Sequence, residues 1–470
     1  MREQVRLISP EEIGRQEAFI AQIKARPDKP ARSYLVTYGC QMNAHDSEVL
    51  LGMLDAMGIK QAESREASDL ILFNTCCIRD NAERRAMGNI IFTKELKKEN
   101  PTLLVGVCGC MAQQEGFGER LLTRYPFVDF SFGPGELYRL PERLFLAMEG
   151  RREEAFSKGE DSTLYEGLPV LRQNPWSAYI NIMYGCDNFC SYCIVPMVRG
   201  RERSRGLEQI IREAGDLVKD GVKEITLLGQ NVNSYGLDGA GPRFPELLGE
   251  LATTGVKRLR FMTSNPKDLS DSLIEEMAKN PAVCGHLHLP LQSGSDRMLK
   301  VMNRRYTREG YLERVRALRS LMPDIGLTTD LIVAFPGETE EDFEETLSLV
   351  NQVRFDSAFT FIYSPRTGTA AAKLQGRIDT ATANSRLARL NNKQEAITKE
   401  VFEKLVGTRE EVLAEGVSRR DPRQQTGKTR RSISANFTAP PGLEGEIVPV
   451  IIRGYGSNTL KAERIERKTQ

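Results

Sequence analysis

The chain is organised around a cysteine-rich stretch at residues 184–205, which reads Tyr184-Gly-Cys186-Asp-Asn-Phe-Cys190-Ser-Tyr-Cys193-Ile-Val-Pro-Met-Val-Arg199-Gly-Arg201-Glu-Arg203-Ser-Arg205. The close spacing of the three cysteines places their thiolates on one tight loop, where they can share one inorganic cluster. A zinc site would need a fourth ligand, and no His or Cys follows within the next ninety residues. Electron-transfer clusters usually have four cysteines, so three leave one iron open for chemistry.

Composition sets few limits on function beyond the type of compartment. The 470 residues predict two to four domains, and 65 basic against 64 acidic residues indicate no general preference for a charged partner. No apolar run reaches the roughly 18 residues of a membrane span, and the N-terminus lacks the features of a signal peptide. The nine cysteines are strongly clustered, which in a cytoplasmic protein favours thiolate-bound iron over disulfides.

The first third of the chain alternates between short apolar runs and helical patterns. After an N-terminal extension, residues 1–30, four successive strand and helix pairs occupy residues 31–148. The strands are predicted at 34–38, 70–73, 103–107 and 127–132, and the helices at 46–57, 82–98, 113–124 and 136–148. Such β–α repetition predicts an open parallel sheet covered by helices.

Three further cysteines follow three consecutive predicted strands: Cys40, Cys76 and Cys110. The carboxyl ends of parallel strands form the edge where open α/β sheets bind ligands, so a second cluster site is predicted there. Free cysteines are often simple buried apolar residues, which is the alternative interpretation. Cys77 and Cys108 lie next to two of the predicted ligands and leave the choice within each close pair open.

A second alternation begins after a predicted linker at residues 149–175. Within residues 176–405, strands are predicted at 179–183, 224–228, 258–262, 286–289, 327–333 and 358–362, with helices between them and a closing helix at 384–405. Six β–α units suit a partial or full (β/α) barrel, whose active site lies above the strand carboxyl ends. The 184–205 stretch follows the first strand and therefore lies on that face.

Residues 406–470 change to short strand-like pieces, which predict a small C-terminal β-barrel. Between its first two predicted strands lies a basic segment, residues 418–431, with Arg419, Arg420, Arg430 and Arg431. A basic loop on a small barrel is typical of nucleic-acid binding, although a solvated hairpin loop is an equally good interpretation.

The cysteine motif resembles the cluster motif of radical S-adenosylmethionine enzymes. Together with Thr37-Tyr-Gly-Cys-Gln-Met-Asn43, Asn74-Thr-Cys76, Gly109-Cys-Met-Ala-Gln113 and Arg199-Gly-Arg-Glu-Arg-Ser-Arg205, it resembles the methylthiotransferases from about Tyr34 to the C-terminus. Gln41 and Met42 resemble the branch that acts on N6-(dimethylallyl)adenosine in tRNA. The ribosomal-protein branch typically has Pro-Lys at these two positions, and the threonylcarbamoyladenosine branch has a Lys-Val-like pair.

The resemblance implies an α/β protein with an N-terminal sheet domain, a partial radical barrel and a C-terminal RNA-binding domain of the TRAM type. It implies two [4Fe-4S] clusters, one on Cys186, Cys190 and Cys193 and an auxiliary one on Cys40, Cys76 and Cys110. The implied reaction replaces the C2 hydrogen of the adenine at position 37, next to the anticodon, with a methylthio group. Two molecules of S-adenosylmethionine would be used, and the clusters rather than a catalytic side chain would carry the chemistry.

Further residues are expected to contact the cofactor or the RNA. Polar residues at predicted strand ends would line the S-adenosylmethionine pocket, although turns need the same residue types: Gln230, Asn231, Gln292 and Asp330. Four arginines that follow the cysteine loop suit either tRNA phosphates or buried ion pairs: Arg199, Arg201, Arg203 and Arg205.

The leading hypothesis is a cytoplasmic, monomeric tRNA methylthiotransferase without a membrane segment. Its partners would be tRNA, an external electron donor and a sulfur donor that the sequence does not identify. The first alternative is another branch of the same family, modifying threonylcarbamoyladenosine in tRNA or an aspartate of a ribosomal protein. The second is a non-catalytic iron–sulfur protein that binds RNA.

Overall fold

The computed structural model describes residues 7–78, 80–155, 166–239 and 241–465. The predicted N-terminal extension contains a helix, α1 (Pro10–Ala25), whose amino end is capped by Ser9. Phe19 of α1 packs on Phe145 with 5.3 Å between ring centroids, so this helix covers the N-terminal domain.

The N-terminal domain is an open parallel sheet, as predicted. Its strands are β1 (Arg32–Thr37), β2 (Lys60–Gln61), β3 (Leu70–Thr75), β4 (Leu104–Gly109), β5 (Phe130–Phe132) and β6 (Glu153–Ala155), in the order β2-β1-β3-β4-β5-β6. The helices are α2 (Gln41–Ala56), α3 (Asp80–Glu99), α4 (Phe117–Arg124) and α5 (Leu140–Met148). The sequence missed the two edge strands, β2 and β6, because both are short; β6 lies within the predicted linker.

The middle of the chain forms an open barrel of six parallel strands, as predicted; it is called the large barrel below. They are β7 (Ser177–Asn181), β10 (Glu224–Leu228), β11 (Arg258–Phe261), β12 (His286–His288), β13 (Gly326–Val333) and β14 (Ser357–Ile362). Two three-stranded sheets, β7-β10-β11 and β12-β13-β14, are joined by a parallel bridge between Leu259 and Val283. In the described residues β7 and β14 do not pair with each other, so the barrel is partial.

Helices and a short hairpin surround these strands. The hairpin is β8 (Met183–Tyr184) with β9 (Arg203–Ser204), and the helices are α6 (Val195–Arg199), α7 (Leu207–Lys219), α8 (Phe244–Thr253), α9 (Asp271–Lys279), α10 (Asp296–Val301), α11 (Arg308–Leu321), α12 (Glu340–Val353) and α13 (Thr380–Leu405). Tyr184 and Leu228 share an apolar cluster with Met42 and Leu50 of α2, so the barrel and the N-terminal domain have a common core.

The C-terminal residues form a closed five-stranded β-barrel. Its strands are β15 (Arg409–Val417), β16 (Gln424–Thr429), β17 (Ser434–Thr438), β18 (Ile447–Tyr455) and β19 (Thr459–Arg464), in the order β15-β16-β17-β19-β18. The prediction of one basic loop over residues 418–431 was wrong in part, because β16 occupies six of these residues. Its inward positions include Gln425 and Thr429, and such polar side chains gave no apolar alternation in the sequence.

Four arginines fasten this C-terminal barrel to the strand amino ends of the large barrel, opposite the cysteine loop. Arg258 donates to the carbonyl oxygens of Lys428 and Glu411, and Arg260 to those of Arg430 and Thr429. In the other direction, Arg430 donates to the carbonyl oxygens of Pro281 and Val283, and Arg431 forms an ion pair with the buried Asp356. The buried Arg258 and Arg260 and the partly buried Arg430 satisfy these carbonyls, so the interface is fixed and specific.

No helix among the described residues is both long and apolar enough to cross a membrane.

Candidate functional site

Cys186, Cys190 and Cys193, here called the barrel cysteine site, lie on the loop that follows β7 and β8. Gly185 has φ of +75°, and a Cβ there would lie 1.9 Å from the carbonyl oxygen of Arg201, so only glycine permits this turn. The loop is held by hydrogen bonds from the Cys193 amide to the Cys190 carbonyl and from the Ser191 amide to the Met302 carbonyl. The three thiols therefore lie on a fixed loop at the carboxyl end of the strands.

Two side chains donate hydrogen bonds to sulfurs of the barrel cysteine site. Arg304 Nη1 lies 3.3 Å from Cys190 Sγ, and Asn188 Nδ2 lies 3.3 Å from Cys186 Sγ. Arg304 is buried and also donates to the Pro290 carbonyl and to the Tyr306 hydroxyl. Hydrogen bonds to thiolate sulfur and nearby charge are the means by which proteins set the potential of a cluster.

Cys40, Cys76 and Cys110, here called the sheet cysteine site, follow β1, β3 and β4, which are adjacent in the sheet. Gly39 packs so closely on Cys76 that an added Cβ would lie 2.6 Å from Cys76 Cβ. Asn43 joins the three loops. Its Nδ2 donates to the carbonyl oxygens of Tyr38 and Thr75, and its Oδ1 lies 3.9 Å from Cys40 Sγ and 4.0 Å from Cys110 Sγ.

The two additional cysteines of the N-terminal domain have different surroundings. Cys108 is fully buried in the apolar cluster beneath α2, so it is a core residue. Cys77 is also fully buried, but it packs beside Cys110 with Ile194 and Val198 of the barrel cysteine loop. Cys77 therefore packs directly against a predicted ligand, Cys110.

The thiol pKa values differ between the two sites. Burial raises the pKa of Cys186 to about 11 and that of Cys193 to about 12, and burial also raises that of Cys40. A hydrogen bond with Cys77, helped by the positive charge of Arg199, lowers the pKa of Cys110 to about 6. Cys110 therefore becomes a ligating thiolate more readily than Cys40 does.

Buried polar atoms without a partner collect at the same end of the barrel. Among the described residues they include Asn181 Oδ1, Gln230 Oε1, Asn231 Oδ1, Asn233 Oδ1 and Ser264 Oγ, which follow or end β7, β10 and β11. Buried polar atoms normally have hydrogen-bond partners, so several unsatisfied ones together mark a place where a polar ligand binds. Of the predicted cofactor residues, Gln230 and Asn231 belong to this group.

The predicted cofactor residues Gln292 and Asp330 lie on the second half of the barrel. The Gln292 amide donates to the Asp330 carbonyl, and the Asp330 carboxylate lies 3.4 Å from His288 Nε2. Gln292 has φ of +69°, and Thr263 and Ala334, which follow β11 and β13, also have positive φ. Non-glycine residues in this conformation are strained, and such strain gathers at functional sites.

The four arginines after the cysteine loop fall into two groups. Arg199 and Arg205 are buried: Arg199 pairs with Asp46 at 2.8 Å, and Arg205 pairs with Glu166 and Glu213. Of the two alternatives that the sequence left open for these arginines, tRNA phosphates or buried ion pairs, the structure has ion pairs, because both guanidinium groups face carboxylates inside the protein. Arg203 donates to the Arg199 carbonyl, whereas Arg201 is exposed and lies over the ring of Phe189, 4.9 Å from its centroid.

The C-terminal arginines also separate. Arg430 and Arg431 hold the interface with the large barrel, which gives both a structural role; that they also contact RNA stays a prediction. Arg419 and Arg420 are exposed on the loop between β15 and β16. These two remain available to a polyanion.

The donors suit clusters better than single metal ions. Within the described ranges, no three His, Cys, Asp or Glu side chains are close enough to hold one ion. In a cluster each thiolate binds its own iron, so the sulfurs need not converge on a point. Each site offers three cysteines and a nearby arginine, and the barrel site also has unsatisfied polar atoms next to it. These features fit a [4Fe-4S] cluster with a polar organic ligand.

Three residues of the site were not predicted from the sequence: Asn43, Asp46 and Arg304. Asn43 was part of a motif, but its role depends on contacts with residues more than thirty positions away. Asp46 was read only as the start of a helix that in fact begins at Gln41. Arg304 follows a short helix and lies 114 positions from Cys190. No local pattern marks such long-range partners.

Two protein families match the chain. Residues 180–350 match the Radical SAM superfamily, and residues 32–133 match the Uncharacterized protein family UPF0004. The first match covers the barrel cysteine site and most of the large barrel, from within β7 to within α12. The second covers β1 to β5 of the sheet and the sheet cysteine site.

Curated relatives align with nearly the whole chain. The protein from Alkaliphilus oremlandii is 48% identical over 463 residues, which is 98% of this chain and 98% of the relative. That from Acetivibrio thermocellus is 46% identical over 468 residues, covering 98% of this chain and 96% of the relative. Both are tRNA-2-methylthio-N(6)-dimethylallyladenosine synthases.

The fold is also similar to a solved structure of much lower sequence identity. The radical S-adenosylmethionine methyltransferase TsrM from Kitasatospora setae, with cobalamin and a [4Fe-4S] cluster bound, aligns with a TM-score of 0.53 and 15% identity. The alignment covers 73% of this chain and 77% of TsrM.

Proposed function

The chain belongs to the radical S-adenosylmethionine family of tRNA-2-methylthio-N(6)-dimethylallyladenosine synthases, and we propose that it works with two [4Fe-4S] clusters, one at each cysteine site. It is a methylthiotransferase whose substrate is tRNA and whose cofactors include S-adenosylmethionine and an iron–sulfur cluster. The product carries a methylthio group at position 2 of N6-(dimethylallyl)adenosine. We infer that this nucleoside is at position 37, next to the anticodon.

One observation carries the two-cluster proposal: both three-cysteine sites lie at strand carboxyl ends, and one short helix joins them. Ile194 and Val198, directly after the barrel cysteine site, pack against Cys77 and Cys110 of the sheet domain. A group bound at one site is therefore held close to a group bound at the other. This closeness is what a reaction needs if hydrogen removal and sulfur transfer occur on the same carbon.

The residues of the barrel would bind and orient S-adenosylmethionine. Its ammonium group needs hydrogen-bond acceptors, and the unpaired Gln230 and Asn231 side-chain oxygens are acceptors at the strand ends. Gln292 is held in a fixed, strained backbone conformation, and Asp330 adds a carboxylate beside His288. When bound, the clusters and S-adenosylmethionine supply the one-electron chemistry and the sulfur. The protein positions them and excludes water.

The domain assignment follows from these roles. Residues 31–148 would hold the auxiliary cluster, residues 176–405 the radical chemistry, and residues 406–470 would be an RNA-binding domain of the TRAM type; residues 1–30 and 149–175 would serve as an extension and a linker. An external electron donor and a sulfur donor complete the proposal. The free thiols fit the reducing cytoplasm, where we place the enzyme as a monomer.

The proposal is tested by expression in a bacterial host that lacks its own methylthiolation enzyme. Mass spectrometry of tRNA nucleosides should show the 2-methylthio derivative of N6-(dimethylallyl)adenosine. A methylthio group on threonylcarbamoyladenosine instead would assign the other tRNA branch. In purified, reconstituted protein we expect about eight irons per chain. Intact clusters without any cleavage of S-adenosylmethionine would contradict the enzymatic assignment.

Charge reversal on the C-terminal barrel should weaken tRNA binding. The double variant Arg419→Glu/Arg420→Glu alters two exposed side chains, so we expect unchanged folding. If both contact phosphates, the slope of log affinity against log salt becomes shallower by about one to two. The measurement is tRNA binding over a range of salt concentrations. The matched control is Arg453→Glu, an exposed arginine on β18; equal behaviour of the two would remove this loop from the RNA interface.

A further inference from the structure

Helix α6 carries an arginine from the barrel cysteine loop into the sheet domain. The helix begins two residues after Cys193 and ends at Arg199. Arg199 is only 7% exposed, and its Nη2 lies 2.8 Å from Asp46 Oδ2 and 3.1 Å from Asn43 Oδ1. The barrel loop therefore contributes a cation to the interior of the other domain.

Asn43 links the Arg199 guanidinium to the sheet cysteine site. The oxygen that accepts from Arg199 is the same Oδ1 that lies about 4 Å from the sulfurs of Cys40 and Cys110. Its amide nitrogen is committed to the carbonyl oxygens of Tyr38 and Thr75, so the side chain cannot turn without breaking those bonds. Arg199 is thus connected, through its hydrogen bond to Asn43, to the loops that hold the predicted auxiliary ligands.

Two opposite charges, on Arg199 and Asp46, are buried next to the sheet cysteine site. The side chains of Arg199 and Asp46 are 5% and 1% exposed, so water screens neither charge. A thiolate-bound cluster becomes more negative when it is reduced, and buried charges nearby shift its potential. The guanidinium should favour the reduced form, and the carboxylate should oppose it.

We propose that Arg199 is a positioning residue that holds the auxiliary thiols against the barrel loop and raises the reduction potential of the auxiliary cluster, in opposition to Asp46. This inference rests on the proposed function, because it requires a cluster at the sheet cysteine site. Arg199, the first arginine of the 199–205 stretch, would then connect the two cysteine sites and not contact RNA.

The test isolates the auxiliary cluster. In the full chain, Cys186, Cys190 and Cys193 are all replaced by alanine, the protein is reconstituted with iron and sulfide, and the remaining cluster takes one electron from dithionite in a potentiometric titration followed by EPR. Arg199→Gln should reduce the equilibrium constant for reduction about tenfold, which is about 59 mV for one electron. Asp46→Asn should shift the potential in the opposite direction, and Arg199→Lys should stay near the unmodified chain.

The matched control is Arg201→Gln, two residues further along, whose side chain is 59% exposed. It should leave the potential unchanged. If the Arg199→Gln variant does not retain the cluster, the Asp46→Asn variant is used for the test. A reduction potential of Asp46→Asn that is not higher than that of the unmodified chain overturns the inference. A potential of Arg199→Gln equal to that of the Arg201 variant also overturns it. If the triple cysteine variant binds no iron, the auxiliary cluster itself is disproved, an outcome that iron content separates from an unchanged potential.

Discussion

Replacing Cys193 with alanine is expected to abolish both the cleavage of S-adenosylmethionine and the methylthiolation of tRNA. A cluster at the barrel cysteine site has only three protein ligands, so the loss of one leaves too few to hold it. Product formation should then fall to the uncatalysed level, on the order of 10⁶-fold or more below the catalysed rate. Iron content should fall from about eight to about four per chain, measured together with 5′-deoxyadenosine and the modified nucleoside.

The control for this variant is Cys284→Ala. Cys284 is also buried, but it lies before β12 at the amino end of the strands, away from both cysteine sites. Its loss removes one sulfur from a packed interior, which costs about 1 kcal/mol of folding stability. Both clusters and both reactions should remain. A Cys193→Ala protein that still cleaves the cofactor would contradict the assignment of the barrel cysteine site.

Large parts of the fold were predictable because apolar residues set the elements. The six barrel strands were predicted within two residues of their ends, since each is a short apolar run between helical patterns. The C-terminal barrel was harder to predict from the sequence. β16 buries Gln425 and Thr429, which the sequence presents as polar, so a strand was read as part of a loop. Helix α2 begins at Gln41 rather than Asp46: Cys40 is its extended N-cap residue, and the Cys40 carbonyl accepts a hydrogen bond from the Ala44 amide.

The cysteines of the site were predictable, whereas their partners were not. Spacing alone indicated the barrel cysteine site, and repetition at strand ends indicated the sheet cysteine site. The charges that act on them come from residues far apart in sequence, such as Arg199 with Asp46 and Arg304 with Cys190. The same holds for Arg430 and Arg431, whose basic pattern suggested RNA but whose carbonyl and carboxylate partners lie in the large barrel. A run of basic residues in a sequence shows where positive charges are, but it does not show which groups those charges contact.

Replacing Cys110 with alanine is expected to stop methylthiolation while the cleavage of S-adenosylmethionine continues. The barrel cysteine site is unchanged in this variant, so 5′-deoxyadenosine should still form. The auxiliary cluster loses one of its three predicted protein ligands, so about four irons should be lost and the methylthio nucleoside should disappear. The measurement is the ratio of 5′-deoxyadenosine to modified nucleoside in one assay.

Cys108→Ala and Cys77→Ala are the matched controls, because each alters a buried thiol within three positions of a predicted ligand. Cys108 lies in the apolar core, so its variant should lose about 1 kcal/mol of stability and keep its activity. Cys77 contacts Cys110 directly, which makes it the sharper test. If it only packs, Cys77→Ala keeps its iron and Cys76→Ala loses it. The reverse result would make Cys77 the ligand, because the two neighbours compete for a single position beside Cys110.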